Sequence, residues 1–426
     1  MDQRGATLGR RGFLSLGAST LFGLLVGEAL RARDASGGVP FGLAAPATAC
    51  ILLWLNGGPS HLDTFDPKPG TASGGPFKAI KTKAPGLLLS EHLPLLAEQA
   101  HHVALLRGMT SREGNHQRGR YLLHTGYTPN PTVTHPALGA WVSSRLGDAN
   151  GDLPGFVALG GPSAGGGILG VQNGPFVVLD PGDPPANVAR APGVGEARFE
   201  RRRAGLDFLE DRFEAETSDV KVLGRRQVYA KAERLMASPR ISAFDLSSES
   251  KATRAAYGDG DFGRGCLTAR RLVESGVKFV EVELDGWDTH KDNFARTKAL
   301  MAELDPALSS LLRDLAERKM LERTVVLCFG EFGRTPKINP NDGRDHYPGA
   351  WSALFGGGGI RRGYVHGQTT PDGSSVVSGK VEVKDLFATV ASQLGLNPDA
   401  SVMSPIGRPI AVTDGGVPVK ELLART

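Results

Sequence analysis

Short apolar runs punctuate the chain, and each stops at a polar, glycine-bearing loop. Cys50 to Leu55 (C-I-L-L-W-L) ends at Asn56-Gly57-Gly58-Pro59, Phe279 to Leu284 ends at Asp285-Gly286-Trp287-Asp288, and Thr324 to Phe329 ends at Gly330-Glu331-Phe332-Gly333. Continuous apolar strands belong to a sheet covered on both faces, because a half-solvated strand alternates apolar with polar residues. Between these runs lie helical patterns at Leu267 to Ser275, Phe294 to Arg318 and Val383 to Leu394. Together they predict an α/β fold, a doubly wound and mainly parallel sheet with helices on both faces. Ligands collect at the carboxyl ends of the strands in such sheets, which is where the polar clusters fall.

The stretch from about 185 to 250 breaks the strand-loop rhythm. It is rich in Arg and Glu at helical spacing (F-E-R-R-R-A-G-L-D-F-L-E-D-R-F). We read it as a helical excursion packed on the sheet, either a lid or a solvated amphipathic pair with no part in chemistry. No internal repeat or heptad array is visible.

The first residues bear on compartment. Arg10-Arg11-Gly12-Phe13-Leu14 precedes an apolar, Gly-rich run through Leu24, Leu25 and Val26 that is too short and interrupted to span a membrane stably. Paired arginines before a modest apolar core resemble a twin-arginine export signal. An Ala/Gly/Pro-rich stretch from Ala35 to Ala47 then reads as processing region and linker, with the cleavage point open. The expected organisation is signal and linker over 1–45 and a single domain over 46–426. A periplasmic or extracellular bacterial location follows, with the twin-arginine translocase as partner during export and no stable membrane span in the mature form. Cys50 opens a strand, so lipidation there is rejected, and Cys50, Cys266 and Cys328 read as buried thiols. About half of the formal charge of +4 comes from the leader itself, where Arg4, Arg10, Arg11, Arg31 and Arg33 stand against Asp2, Glu28 and Asp34. No basic stripe with interleaved aromatics suggests nucleic acid.

Candidate chemistry gathers at the ends of the runs. Asp288-Thr289-His290 puts a carboxylate and an imidazole two residues apart in a turn, where both can reach one divalent cation; a helix N-cap is the competing role for Asp288. Glu331, at the tip of a buried strand, needs a cation or an arginine, and Arg334 is near in sequence. Asp345-His346 is either a second ligand pair or a carboxylate orienting a ligating imidazole. Arg334 and Arg344 offer planar donors to an oxyanion. Asn56 to Asp66 repeats the theme with His61 and Asp63. In N-H-Q-R-G-R-Y-L-L-H-T-G, His116 and Arg120 lie one turn apart at an expected helix start, a place that favours an anion. His92, His101, His102 and His135 lack such context and read as surface or packing residues.

These pieces resemble the alkaline phosphatase and sulfatase superfamily and, over nearly the whole chain after the leader, the bacterial family called domain of unknown function 1501. The motifs that carry the likeness are N-G-G-P-S-H-L-D-T-F-D-P-K-P, N-H-Q-R-G-R-Y-L-L-H-T-G-Y, G-W-D-T-H, E-F-G-R-T-P and G-R-D-H-Y-P-G-A-W. The resemblance implies the doubly wound sheet again. It also implies departures. The superfamily's first carboxylate ligand falls on Asn56, for which His61 or Asp63 can substitute. Its nucleophile falls on His116 and its arginine on Arg120, so the arginine survives while the hydroxyl or thiol does not. Formylglycine chemistry is excluded at that position. The later Asp-His is matched by Glu331-Phe332, leaving the imidazole to His346 first and His366 second.

The expected function is therefore an exported, sulfatase-like, metal-dependent hydrolase of phosphate or sulfate esters. One or two divalent ions (zinc, calcium or manganese) would be held among Asp288, His290, Glu331, Asp345, His346, His61, Asp63 and Asn56. Arg120, Arg334 and Arg344 would neutralise a small anionic ester or a sulfated or phosphorylated glycan, and His116 would attack, ligate or move a proton. The alternatives are a non-catalytic exported protein that binds a metal or an anionic glycan on the same fold, and an enzyme of carbon-linked phosphates using a His116 phosphoenzyme.

Overall fold

The computed structural model describes residues 47–424 apart from 187, 218 and 219. The expected signal and linker over 1–45 thus lie outside the described residues. A nine-stranded sheet forms the centre. In chain order its strands are β1 Ala49–Leu55, β2 Val103–Thr110, β3 Phe156–Leu159, β4 Phe176–Val178, β5 Phe279–Leu284, β6 Thr324–Phe329, β7 Trp351–Gly357, β8 Tyr364–His366 and β9 Val381–Glu382. They lie side by side as β8-β2-β7-β6-β1-β5-β3-β4, with β9 also paired to β2. Every pairing is parallel except the two made by β7. The fold is mixed α/β with a mostly parallel central sheet.

The helices that concern the site and core are α1 His116–Thr125, α2 Leu138–Leu146, α3 Glu196–Thr217, α4 Val220–Ala237, α5 Asp261–Glu274, α6 Asn293–Glu317 and α7 Val383–Gln393. Helices α3 and α4 occupy the Arg/Glu-rich stretch. Among the described residues no helix is long and apolar enough to cross a membrane.

The alternation along β1 shows why the strand carries no polar face. Ile51, Leu53 and Leu55 pack in one core with Cys266, Leu267 and Leu272 of α5 and Leu304, Leu308 and Leu311 of α6. Cys50, Leu52 and Trp54 point the other way, into a second core with Trp141 and Val142 of α2 and Leu386, Phe387 and Val390 of α7. Side chains of this size each gain roughly 1.5–3 kcal/mol from leaving water, so both helical layers are held to the sheet by the run that predicted it. All three cysteines are free and buried.

Sheet order then decides where the chemistry meets. Strand β1 lies between β6 and β5, with Trp54 level with Phe329 and Leu55 level with Leu284. Three loops far apart in sequence, beginning at Asn56, Asp285 and Gly330, therefore leave the sheet side by side.

Candidate metal centre

The loop after β1 can approach its neighbours only because Gly57 has no side chain. Its φ is +112°, and a Cβ there would stand 2.3 Å from the backbone nitrogen of Asp288. The Gly57 N–H donates to both carboxylate oxygens of Glu331, at 3.1 Å each. Helix α1 comes to the same place through Gly119, where a Cβ would meet Cβ of Glu331 and the Phe332 ring at 3.2 Å. One turn earlier, His116 is thus brought against Glu331. Asn115 caps the helix by accepting from the Arg118 N–H. A two-residue antiparallel ladder, Gly333–Arg334 with His346–Tyr347, sets His346 opposite Arg334.

Three imidazoles consequently surround Asp288. His290 Nε2 lies 3.2 Å and His346 Nε2 lies 3.4 Å from its Oδ1, and His116 Nε2 lies 3.4 Å from its Oδ2. His290 Nε2 and His346 Nε2 are only 3.0 Å apart. The ligand atoms of His116, Asp288 and His346 all fall within 4.8 Å of one another.

The far nitrogen of each ring is held by an acceptor. His346 Nδ1 donates to the carbonyl of Gly114 at 2.8 Å, His290 Nδ1 to Asp345 Oδ1 at 2.8 Å, and His116 Nδ1 to Glu331 Oε1 at 2.6 Å. A neutral imidazole carries one hydrogen, so with Nδ1 donating each Nε2 turns a lone pair toward Asp288. Two such lone pairs 3.0 Å apart repel unless a cation or a proton lies between them. His116 Nε2 is buried and has no hydrogen-bond partner. This is the arrangement in which outer carboxylates and carbonyls orient ligating histidines.

Asp288 brings the negative charge. Burial pushes its carboxyl up, but the hydrogen bond and charge of Arg334, with His116 and His290 adding to them, hold it down at about 2. For His116 the hydrogen bond to Glu331 raises the ring and outweighs burial, whereas burial lowers His346.

The structure brings Asp288, His290, His346 and His116 together, with Glu331 and Asp345 behind them as orienting groups. Other expected ligands it does not bring. Asp63 is wholly buried and paired with Arg344, Oδ2 to Nε at 2.8 Å and Oδ1 to Nη2 at 3.1 Å. Asn293 donates to the same Oδ2 at 2.9 Å. His61 is buried with Nε2 on the Gly373 carbonyl at 2.9 Å. Asn56 accepts from Arg120 and Trp54 and donates to Asp285. His366, the second choice for the late imidazole, ends the edge strand β8.

The arginines too are engaged. Besides Asp63, Arg344 donates to the carbonyls of Ser73, Thr335 and Pro336. Arg334 is fully buried, bonded to Asp288 at 2.6 Å and to the carbonyls of Gly57, Gly58 and Arg344. Arg120 reaches Glu283 at 2.6 Å and the Pro162 carbonyl. Burial pushes the Glu283 carboxyl up, and Arg120 pulls it back.

Three residues escaped the sequence reading. Gly114, whose carbonyl fixes His346, carries no side-chain signal, and only its place two residues before His116 hinted at it. His124 and Glu281 form a buried pair at 2.9 Å between α1 and β5, and the His124 ring tilts against Trp54. The i, i+2 spacing of Glu281 and Glu283 in an otherwise apolar strand was the available signal.

A model of the family described as protein of unknown function (DUF1501) matches residues 47–423. No curated protein matches the sequence. Among solved structures, the chain is similar to the PsFucS1 sulfatase from Pseudoalteromonas sp., at 15% identity and a TM-score of 0.39, covering 83% of this chain and 68% of that one. It is also similar to the lipoteichoic acid synthase LtaP from Listeria monocytogenes, at 10% identity and a TM-score of 0.38 over 87% and 76% of the two chains. A third is the alkaline phosphatase from the Antarctic bacterium TAB5, at 13% identity and a TM-score of 0.33 over 83% and 100%. At such scores these likenesses carry nothing about what the chain does.

Proposed function

This chain belongs to the DUF1501 family, and on that footing we propose that it is an exported, metal-dependent hydrolase of phosphate or sulfate esters. One observation carries the reading: His290 Nε2 and His346 Nε2 face each other at 3.0 Å beside Asp288, with their far nitrogens both donating elsewhere. A cation resolves that repulsion, and Asp288, His290 and His346 are the residues that would hold it. Imidazole nitrogens with one carboxylate suit zinc or manganese; calcium, which takes oxygen ligands, does not fit this donor set.

A divalent ion bound there supplies Lewis acidity toward an ester oxygen and activates water. The chain's own residues do the rest. Asp345 and the Gly114 carbonyl fix the rings, and Arg334 places a buried positive charge against Asp288, which keeps that carboxylate ionised. The twin-arginine segment supports export and lies outside the described residues.

The engaged arginines favour a second reading. Arg120, Arg334 and Arg344 are each bonded to a carboxylate, so none is left open to a phosphate or sulfate. A metal-binding protein without turnover fits that fact better.

Elemental analysis of protein purified from the periplasm, with a screen of aryl phosphate, phosphodiester and sulfate esters, separates the two. Metal with turnover supports the hydrolase, metal without turnover the binding protein, and protein that takes up no zinc or manganese ends both.

A further inference from the structure

We propose that His116 is the fourth ligand of the same cation and not an attacking group, so that an ester is displaced by water and no phosphoryl or sulfuryl histidine forms. The proposal rests on the metal reading above and adds to it what His116 does.

Both ring nitrogens are closed to nucleophilic attack. Nδ1 is held at 2.6 Å by Glu331 Oε1, and the two oxygens of that buried carboxylate are themselves fixed by the Gly57 N–H. Nε2 is the nitrogen that carries the lone pair, yet it is buried without a hydrogen-bond partner. A nitrogen attacking phosphorus or sulfur must meet it in line with the leaving oxygen, and the buried Nε2 offers no such open approach. A ligand needs only to face the ion.

The direction fits as well. His116 Nε2 approaches Oδ2 of Asp288, whereas His290, His346 and Arg334 share Oδ1. The fourth donor therefore comes from the side of the carboxylate the other two rings leave open. The rings of His116 and His346 meet edge to face, with centroids 4.3 Å apart and planes at 77°. The ligand atoms of His116, Asp288 and His346 lie within 4.8 Å of one another, and His290 Nε2 adjoins those of Asp288 and His346, so three nitrogens and one oxygen are at hand for the four donors zinc takes.

The threonine hydroxyls on the loops after β5 and β6 are engaged. Thr289 donates its hydroxyl to Asn293 at 2.6 Å and Thr335 to the carbonyl of Lys337 at 2.9 Å. The three cysteines lie buried in the cores. Displacement by water balances without an added reagent: the water oxygen bonds to phosphorus or sulfur, the ester bond to that atom breaks, and a proton passes to the departing oxygen.

The test uses the full chain and cobalt(II) or zinc(II) alone, without any ester. Wild-type protein titrated with cobalt should show visible bands of a four-coordinate site, and His116→Ala should bind at least ten-fold more weakly with changed bands. In case that variant folds poorly, nitrogen-15 spectra of histidine-labelled wild-type protein give the same answer. Before zinc, His116, His290 and His346 should all be Nδ1–H tautomers, and on adding zinc the Nε2 of all three should shift. If wild type binds neither metal, the underlying metal reading fails. If it binds but only the His290 and His346 signals move, or His116→Ala keeps both affinity and bands, the metal reading stands and the role given to His116 is overturned.

Discussion

Two acid-and-base clusters sit within a few residues of each other on this molecule and behave in opposite ways. Around Asp63 the opposite charges answer each other. Arg344 and Asn293 saturate the carboxylate, and the remaining arginine donors go to backbone carbonyls. Around Asp288 three imidazole nitrogens are turned inward and one of them, His116 Nε2, has no hydrogen-bond partner. A closed network of buried charges holds loops in place, while an open set of lone pairs around a carboxylate is suited to a cation. Sequence composition does not separate the two, since each offers acid and base groups after an apolar run. The accounting of donors against acceptors does.

Breaking the closed cluster should give the largest effect, and on stability. Asp63→Ala leaves Arg344 buried and unpaired, and removal of one partner from such a pair costs roughly 3–5 kcal/mol. Denaturant unfolding of the metal-free protein reads this directly; a loss under about 1 kcal/mol would mean water enters the cluster and the contrast is false. Opening the other cluster should act on binding instead. Asp288→Asn removes the only charged donor, and zinc affinity should drop by more than the ~10–100-fold that losing an outer hydrogen-bond partner brings. The unfolding midpoint should move much less than in Asp63→Ala, because Asp288 is part-exposed where Asp63 is wholly buried, and Asn keeps an oxygen for Arg334.

Acid sharpens the same contrast. Imidazoles must shed their protons to bind a metal, so affinity falls as pH falls. The raised His116 begins to protonate first and the lowered His346 later, whereas Asp288, held at about 2, stays charged throughout. Protonation should therefore weaken zinc steadily between pH 7.5 and 5.5, with the raised His116 contributing more than the roughly ten-fold of an ordinary imidazole and the lowered His346 less. Competition titrations across that range check it, and a flat profile would remove the imidazoles from the ligand set.

Much of this was legible beforehand, for reasons that particular residues make plain. The apolar runs at β1 and β6 gave their strands to the residue or within one, because strands buried on both faces leave no room for polar positions. Asp288, His290 and His346 were readable because strand ends in a parallel sheet must converge, and β6, β1 and β5 are neighbours. Asp63 misled because a carboxylate two residues from a histidine looks the same whether a metal or an arginine answers it. Arg344, which does answer it, lies 281 residues on. Glu331 misled in a subtler way: a buried acid does need a partner, but that partner is the N–H of His116, and helix α1 lies over 200 residues earlier. Pairings across such distances depend on how loops pack above the sheet, which neither periodicity nor spacing records.

The smallest expected effect tests whether the outer groups orient the rings as the hydrogen bonds suggest. Asp345 is more than half exposed and meets the imidazole cluster through His290 Nδ1, with Asn339 donating to the same oxygen at 3.3 Å. Asp345→Ala removes the acceptor that keeps the hydrogen on Nδ1, so part of the His290 population should shift to the other tautomer and zinc affinity should fall by about ten-fold. Asp345→Asn retains an oxygen for the ring to donate to and should fall by less, provided Asn339 turns its own amide to suit. The ordering of the two variants matters more than their size. If Asn weakens binding as much as Ala, the negative charge of Asp345 is what His290 feels and the ring's orientation is fixed by other means; if Ala alone does so, the hydrogen bond is the cause.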